Sequence, residues 1–146
     1  ETSTRLIRPA TENDLSEEAE WVQNFPASKN GEIEIKLDLT KNSPPLRVAL
    51  NDHFSIAADS LASANSVFVF SFTPESTMEG ISTMKIKWSS DRKKISLYLN
   101  NRLLTRSSLL KTSESGLNYV RIAAMPDSRK NGNKIKISEF SYNKIP

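Results

Sequence analysis

From residue 31 onward, apolar and polar positions alternate along most of the chain with a period of two. The clearest run is 31–39, where four apolar residues alternate with charged ones: Ile33, Ile35, Leu37 and Leu39. The same alternation returns in five later segments: 46–50, 84–88, 95–99, 118–124 and 134–137. Because successive side chains of a strand point to opposite faces, this pattern predicts strands with one buried and one solvated face.

Turn signals separate these segments at the spacing typical of β-sandwiches and barrels. Asn100-Asn101 fits a two-residue hairpin turn, because asparagine tolerates the positive φ that such a turn requires. The alternation slips between Ile137 and Phe140, which predicts a β-bulge. We therefore predict an all-β chain of about eight or nine strands, arranged as a two-sheet antiparallel sandwich.

The segment from Ser66 to Phe72 is the most apolar of the chain. Phe68 and Phe70 share one face with Phe72, and valines occupy the other face. A strand that is apolar on both faces is typical of the centre of a sheet, so we expect it to be covered on both sides.

The first 30 residues follow a different pattern, and we assign them to an N-terminal strap or short helix before a sandwich over 31–146, within a single domain. A capping box at Asp14 and Glu17 precedes apolar residues at helical spacing, which predicts a short helix ending before Pro26. The alternative is a helical turn followed by an extended edge strand over 21–25.

Composition restricts the class of protein. The chain has 146 residues, of which 37% are hydrophobic and 25% charged, as expected for one globular domain. It has no cysteine, which excludes disulfides and thiolate chemistry. Its apolar runs are far shorter than the roughly 20 residues of a membrane span. The chain begins Glu1-Thr2-Ser3, and we expect a processed mature protein or an excised fragment.

Charge is distributed unevenly along the chain, although the net charge is only +3. Residues 1–80 contain 13 acidic and 6 basic residues, whereas residues 81–146 contain 4 acidic and 14 basic ones. Two outcomes are open: strand pairing mixes the two halves so that their fields cancel, or the second half forms a basic face for an anionic partner.

Catalytic signals are weak, and we predict that the chain is not an enzyme. Glu32, Glu34 and Asp38 share one face of a strand, where alternate positions are about 6.5–7 Å apart, a separation that suits acid–base hydrolysis of a glycoside. However, Lys36 interrupts this set, and a solvent-facing strip of mixed charge is the simpler interpretation. His53 is the only histidine: a Ser–His–Asp triad would need it as its base, but no Gly-x-Ser-x-Gly elbow is present, and a zinc site usually needs more than one histidine.

Basic residues on outward positions of the later strands are the best functional lead. Lysine and arginine next to tyrosine can bind sulfated or uronic-acid glycans, whereas nucleic acid is disfavoured by the small net charge and the lack of a matching motif. The simpler alternative is a solvated face whose lysines prevent edge-to-edge aggregation. Six residues are our candidate ligand-binding set: Lys85, Lys87, Tyr98, Arg102, Tyr119 and Arg121. Trp21 and Trp88 are predicted to lie in the core.

Three segments between Met84 and Tyr142 carry a family resemblance. The first segment is a strand over 85–88 that ends in Trp, followed by an apolar-Tyr-apolar-Asn-Asn hairpin sequence at 97–101. The second segment, 119–122, has the pattern of an inner strand, and the third, 136–142, has that of a closing strand. This stretch resembles the second half of a concanavalin A-like jelly roll of the laminin G-like type, with Asn101 where that family usually has Gly. The resemblance implies a jelly-roll fold but no function, because this fold hosts unrelated activities.

We therefore predict a non-catalytic accessory module of a secreted protein, extracellular or in the cell envelope, that binds a polysaccharide or glycoconjugate of anionic or neutral character. The alternative is a structural module that packs on a neighbouring domain, which partial exposure of Leu6, Ile7, Trp21 and Phe25 would favour. A glycosidase or lyase is the third hypothesis. We predict no cofactor, although the single calcium ion of some laminin G-like domains would leave no trace in a sequence.

Overall fold

A computed structural model describes seven parts of the chain: residues 5–15, 20–39, 43–52, 66–74, 80–110, 116–124 and 135–145. Within them the chain forms ten strands and no helix. The strands are β1 (Arg5–Leu15), β2 (Glu20–Ser28), β3 (Asn30–Leu39), β4 (Leu46–Asn51), β5 (Phe68–Phe72), β6 (Gly80–Ser89), β7 (Lys94–Leu99), β8 (Arg102–Ser108), β9 (Leu117–Ala124) and β10 (Ile135–Lys144). No helix in these parts has the length and apolar character needed to cross a membrane.

The strands form two antiparallel sheets, which confirms the predicted sandwich. The six-stranded sheet has the order β1-β10-β3-β6-β7-β8, and the four-stranded sheet has the order β2-β9-β4-β5. Neighbouring strands pair antiparallel in both sheets. The first 30 residues thus contribute an edge strand to each sheet.

The helix predicted to begin at Asp14 and end before Pro26 is wrong, and the alternative of an extended edge strand over 21–25 is confirmed. Residues 20–24 pair with β9 instead of forming helical bonds. Trp21 and Phe25 are both buried. A spacing of four residues puts two side chains on one face of either a helix or a strand, so the local pattern does not distinguish the two.

The core lies between the two sheets and is built from the alternating apolar residues. Ile33, Ile35, Leu37 and Leu39 of β3 are fully buried, while the intervening charged residues are half-buried on the outer face. Trp21 and Trp88 are also buried, which confirms their assignment to the core.

The prediction that the segment 66–72 is central in its sheet is wrong. Among the described strands, β5 is at an edge of the four-stranded sheet, paired with β4 alone. Its phenylalanines face the core, but Phe70 and Phe72 lie at the rim and are only half-buried. On the opposite face, Ser71 is exposed. The outer face of β5 thus has one valine and one polar residue, and such a face can remain uncovered. The strand can therefore lie at an edge of the sheet.

Two local predictions are confirmed. Asn100 and Asn101 have φ values of 50° and 68° in the turn between β7 and β8. The register of β10 against β3 shifts between Ile137 and Glu139, at the predicted bulge. The expected continuation of the chain through 54–56 and the single histidine, His53, lie outside the described residues.

Candidate functional site

The outer face of the six-stranded sheet carries polar side chains in rows that run across the strands. One row contains four register partners on β3, β6, β7 and β8: Glu32, Lys87, Ser96 and Arg106. The next row contains, from β3 to β7, Glu34, Lys85 and Tyr98. Because neighbouring strands are about 4.8 Å apart, the first row separates Lys87 from Arg106 by roughly 10 Å.

Ion pairs join the acidic strand β3 to the basic strand β6. Lys85 Nζ lies 3.3 Å from Glu34 Oε1 and 3.9 Å from Glu32 Oε1, and Lys87 Nζ lies 3.5 Å from the same Glu32 oxygen. Acidic and basic halves of the chain therefore mix in this part of the sheet. Exposed pairs of this kind contribute at most about 1 kcal/mol to stability, so their main effect is to orient the side chains.

Next to these pairs, toward the turn between β6 and β7, the outer face opens into a cavity of about 650 Å³ that we call the basic cleft. Four cations and one carboxylate line it: Lys87, Arg92, Lys94, Arg106 and Asp91. The remaining lining residues are Asn30, Trp88, Ser89, Ser96 and Ile145. Cations thus outnumber carboxylates four to one in this lining, and one of them, Lys87, is also paired with Glu32 outside it.

Hydrogen bonds hold the turn that forms one wall of the basic cleft. The backbone N–H of Arg92 donates to Ser89 Oγ over 3.3 Å, and that of Lys93 donates to the Ser90 carbonyl over 3.2 Å. The Ser90 N–H donates to the carbonyl of Lys29 over 2.8 Å, which ties the turn to the segment before β3. These bonds hold the turn in its conformation and attach it to the residue before β3.

One lining residue of the basic cleft, Trp88, has its ring buried in the core on the inner side of the sheet. The indole Nε1–H of Trp88 donates to the carbonyl of Ser28 over 3.0 Å. The ring packs so closely over Gly31 that a Cβ added there would lie 2.5 Å from its Cζ2 atom. Glycine at residue 31, the register partner of Trp88, thus leaves room for the buried ring.

On the far side of the basic cleft, the Arg106 side chain lies along β7. Its Nε–H donates to Ser96 Oγ over 3.2 Å, and its Nη2 donates to the hydroxyl of Tyr98 over 3.4 Å. The hydrogen bond from Arg106 is the main cause that lowers the pKa of Tyr98, and the charge of Arg106 acts in the same direction. The three residues form one hydrogen-bonded group.

Three of the six predicted ligand-binding residues lie on this face. Lys87 lines the basic cleft, and Lys85 and Tyr98 occupy the adjacent row. The structure therefore brings together the lysines and the tyrosine that the sequence placed on outward positions of β6 and β7.

The other three predicted residues lie elsewhere. Tyr119 and Arg121 are on the outer face of the four-stranded sheet, on the opposite side of the molecule. Burial lowers the pKa of the half-buried Arg121 guanidinium. Arg102 lies beside the Asn100-Asn101 turn, at the end of the β7–β8 hairpin away from the basic cleft.

Sequence analysis did not select Arg106 or Lys94 for the candidate set, although both belong to the outward basic residues of the second half of the chain. The register shows which of the two β8 arginines reaches the basic cleft. A shift between Leu97 and Tyr98 puts Arg102 opposite the buried Leu99, whereas Arg106 is opposite Ser96 on the outer face. This bulge on β8 has no marker in the local sequence.

A metal centre requires several ligating side chains close together. Among the residues that the structure describes, no group of three or more His, Asp or Glu side chains is arranged to hold a metal ion.

Comparisons with known proteins support the fold but identify no family. No protein-family model matches the sequence, and no curated protein matches it. Solved structures do match: a sialidase with a TM-score of 0.60 and 11% identity over 97% of this chain, and the Emp47p carbohydrate recognition domain with a TM-score of 0.57 and 8% identity over 98%. Sheep galectin-11 matches 88% of the chain with a TM-score of 0.55 and 10% identity.

The lengths of these neighbours differ greatly. The chain covers 15% of the sialidase, but 89% of the Emp47p domain and 98% of galectin-11. At such low identity, the likeness shows a β-sandwich of the jelly-roll kind and carries no activity with it.

Proposed function

We propose that this chain is a non-catalytic glycan-binding module that binds an anionic polysaccharide or glycoconjugate in the basic cleft. The observation that carries the proposal is the set of four cations facing one carboxylate in an open cavity on a rigid sheet. Charged side chains recognise acidic groups, and the neighbouring Tyr98 offers an aromatic ring and a hydroxyl to the sugar.

The structural neighbours support the same class of function. Emp47p is represented by a carbohydrate recognition domain of nearly the same extent as this chain. The small share of the sialidase that the chain covers supports an accessory module within a larger protein. As part of the same proposal, that protein is secreted and located outside the cell or in the cell envelope. The laminin G-like type of jelly roll, which the sequence of β6–β10 resembles, is part of this proposal.

Two alternatives have less support. Glu32 and Glu34, two of the three carboxylates of the glycosidase hypothesis beside Asp38, are both engaged by lysines of β6. Exposure of Trp21 and Phe25 would have favoured docking to a neighbouring domain, but both are buried. Leu6 and Ile7 lie outside the described side chains.

The test is binding to immobilised polygalacturonate and dextran sulfate. We expect retention that falls as salt is raised, because exposed charges are screened beyond about 8–10 Å at physiological ionic strength. The double variant Arg92→Gln/Lys94→Gln should bind roughly fivefold more weakly, which is about 1 kcal/mol in total or about 0.5 kcal/mol for each exposed charge. No cofactor is proposed, so a chelator should leave binding unchanged.

The matched control is Lys36→Gln/Lys136→Gln, which removes the same charge from this sheet outside the basic cleft. Lys36 pairs with Glu139 over 3.8 Å, and Lys136 is a register partner of Asp38. The control should bind like the wild type. An equal loss in both double variants, or no retention of the wild type on either polymer, would contradict the proposed function.

A further inference from the structure

The Arg106 guanidinium differs from the other cations of the basic cleft in being held by hydroxyl groups of its own sheet. Its bonds to Ser96 Oγ and Tyr98 OH use Nε and Nη2, the two donors on one edge of the planar group. Both acceptors project from the outer face of β7, which pairs with β8 along its length. These contacts restrict the guanidinium in position and in orientation.

The second edge of the same group, formed by Nη1 and Nη2, has no carboxylate partner among the described side chains. Lys87 of the same row differs, since it lies 3.5 Å from Glu32 Oε1. Two parallel N–H donors on the edge of a guanidinium match the two oxygens of a carboxylate, whereas an ammonium group is a point charge without this directional preference.

We infer that Arg106 determines the specificity of the basic cleft, and that its second edge receives the carboxylate of a uronic acid. The ligand class is therefore a polyuronate chain, in which each acidic sugar carries one planar carboxylate. This inference rests on the proposed function. In it, Lys94 and Arg92 attract the polyanion, Arg106 selects the carboxylate, and Ser96 and Tyr98 are positioning residues for Arg106.

The experiment compares wild type, Arg106→Lys and Arg106→Gln in calorimetric titrations with polygalacturonate, which carries carboxylates, and dextran sulfate, which carries sulfates. Arg106→Lys keeps the charge and removes the paired donors. We expect it to weaken polygalacturonate binding about tenfold, the factor for one lost charge-assisted hydrogen bond of about 1.4 kcal/mol. Binding of dextran sulfate should change less than about twofold, because a tetrahedral sulfate with several equivalent oxygens is also bound well by the point charge of a lysine.

The positioning role is tested with Ser96. Ser96→Ala should weaken polygalacturonate binding several-fold, and Ser96→Thr, which restores a hydroxyl on an exposed strand position, should recover it. Thermal unfolding of each variant reports whether the sheet is intact. A merely structural role for Ser96 would lower the unfolding temperature of the alanine variant without this recovery of affinity by threonine.

Each result decides the inference. Selective loss of polygalacturonate binding in Arg106→Lys supports it. Equal behaviour of Arg106→Lys and wild type, an equal loss on both polymers, or wild-type binding to dextran sulfate alone overturns it while the proposed function stands. Failure of the wild type to bind either polymer overturns the proposed function itself.

Discussion

Individual charged residues on the outer face of the six-stranded sheet differ in how far their charge is compensated. Lys85 and Lys87 lie within 4 Å of glutamates on β3. Arg106 instead donates to two neutral hydroxyl groups on β7. Lys87 and Arg106, which have the same charge and similar outward positions, therefore present different electrostatic environments to a ligand.

Tyr98 reports directly on the position of Arg106. The hydrogen bond and the positive charge of Arg106 favour the phenolate and lower the pKa of Tyr98, with smaller contributions in the same direction from Ser96 and Lys87, while burial opposes them. Arg106→Met removes the largest cause, so we predict that the pKa of Tyr98 rises toward its usual value. The ultraviolet absorbance of tyrosinate during a pH titration measures this change.

The control for this titration is Lys94→Met, which removes one charge from the basic cleft but none of the causes that shift Tyr98. The lowered pKa of Tyr98 adds stability in the alkaline range, where the phenolate forms more readily in the folded state, and this contribution is lost as the pH falls through that pKa. The titration is therefore the informative measurement. An identical Tyr98 curve in Arg106→Met and wild type would show that the hydrogen bond does not form.

At the scale of elements, the hairpin of β7 and β8 illustrates how a turn can be read from sequence. Both asparagines have positive φ, but only Asn100 has further bonds in the turn region. Its Oδ1 accepts the Thr83 N–H over 2.9 Å, and its Nδ2 donates to Ser82 Oγ over 3.1 Å. Asn100 thus ties the turn to β6, although both asparagines are exposed.

We predict opposite effects of glycine at these two residues on the free energy of unfolding in urea. Asn101→Gly should leave it unchanged or raise it by less than about 1 kcal/mol, since glycine adopts positive φ without a steric penalty. Asn100→Gly should lower it by about 1–2 kcal/mol through loss of the two side-chain bonds. Equal effects at both residues would show that the bonds to β6 contribute nothing.

Two elements were mispredicted because one local sequence pattern fits two structures. Residues 21–25 fit a helix or a strand, and β5 fits a central or an edge strand. Trp21 and Phe25 are four residues apart, which suits a helix and a strand alike, and pairing with β9 selects the strand. For β5, apolar residues on both faces indicated a central strand, although Ser71 on its outer face is exposed. For Trp21 the deciding partner is Ile122 of β9, which is far away in the sequence, whereas β5 lies at an edge because β4 is its only partner among the described strands.

For the molecule as a whole, an aromatic cluster joins the two sheets. Phe25 extends from β2 of the four-stranded sheet, and its ring centroid lies 5.2 Å from that of Tyr142, 5.5 Å from Trp88 and 6.2 Å from Phe140. These three partners belong to β10 and β6 of the six-stranded sheet. One side chain near the start of the chain therefore contacts residues brought in from its middle and its end.

We predict that Phe25→Ala lowers the free energy of unfolding by about 3–5 kcal/mol, the cost of a large cavity in a packed core. Phe72→Ala is the matched control, because Phe72 is only half-buried at the rim of the core and should cost clearly less. Urea unfolding followed by tryptophan fluorescence measures both. A loss for Phe25→Ala no larger than that for Phe72→Ala would contradict a central role of this cluster.

The sequence by itself determined that the chain forms β-strands with one apolar face, where the β7–β8 turn and the bulge of β10 lie, and that Trp21 and Trp88 are buried. These properties follow from neighbours within a few residues, because side-chain alternation and backbone φ are local. Tertiary structure alone decided the strand order, the pairing of β3 glutamates with β6 lysines, and the separation of Tyr119 and Arg121 from Lys87 and Tyr98. It also decided that Arg106 joins the basic cleft, since strand register depends on contacts between distant segments, and a single bulge shifts which residues face each other.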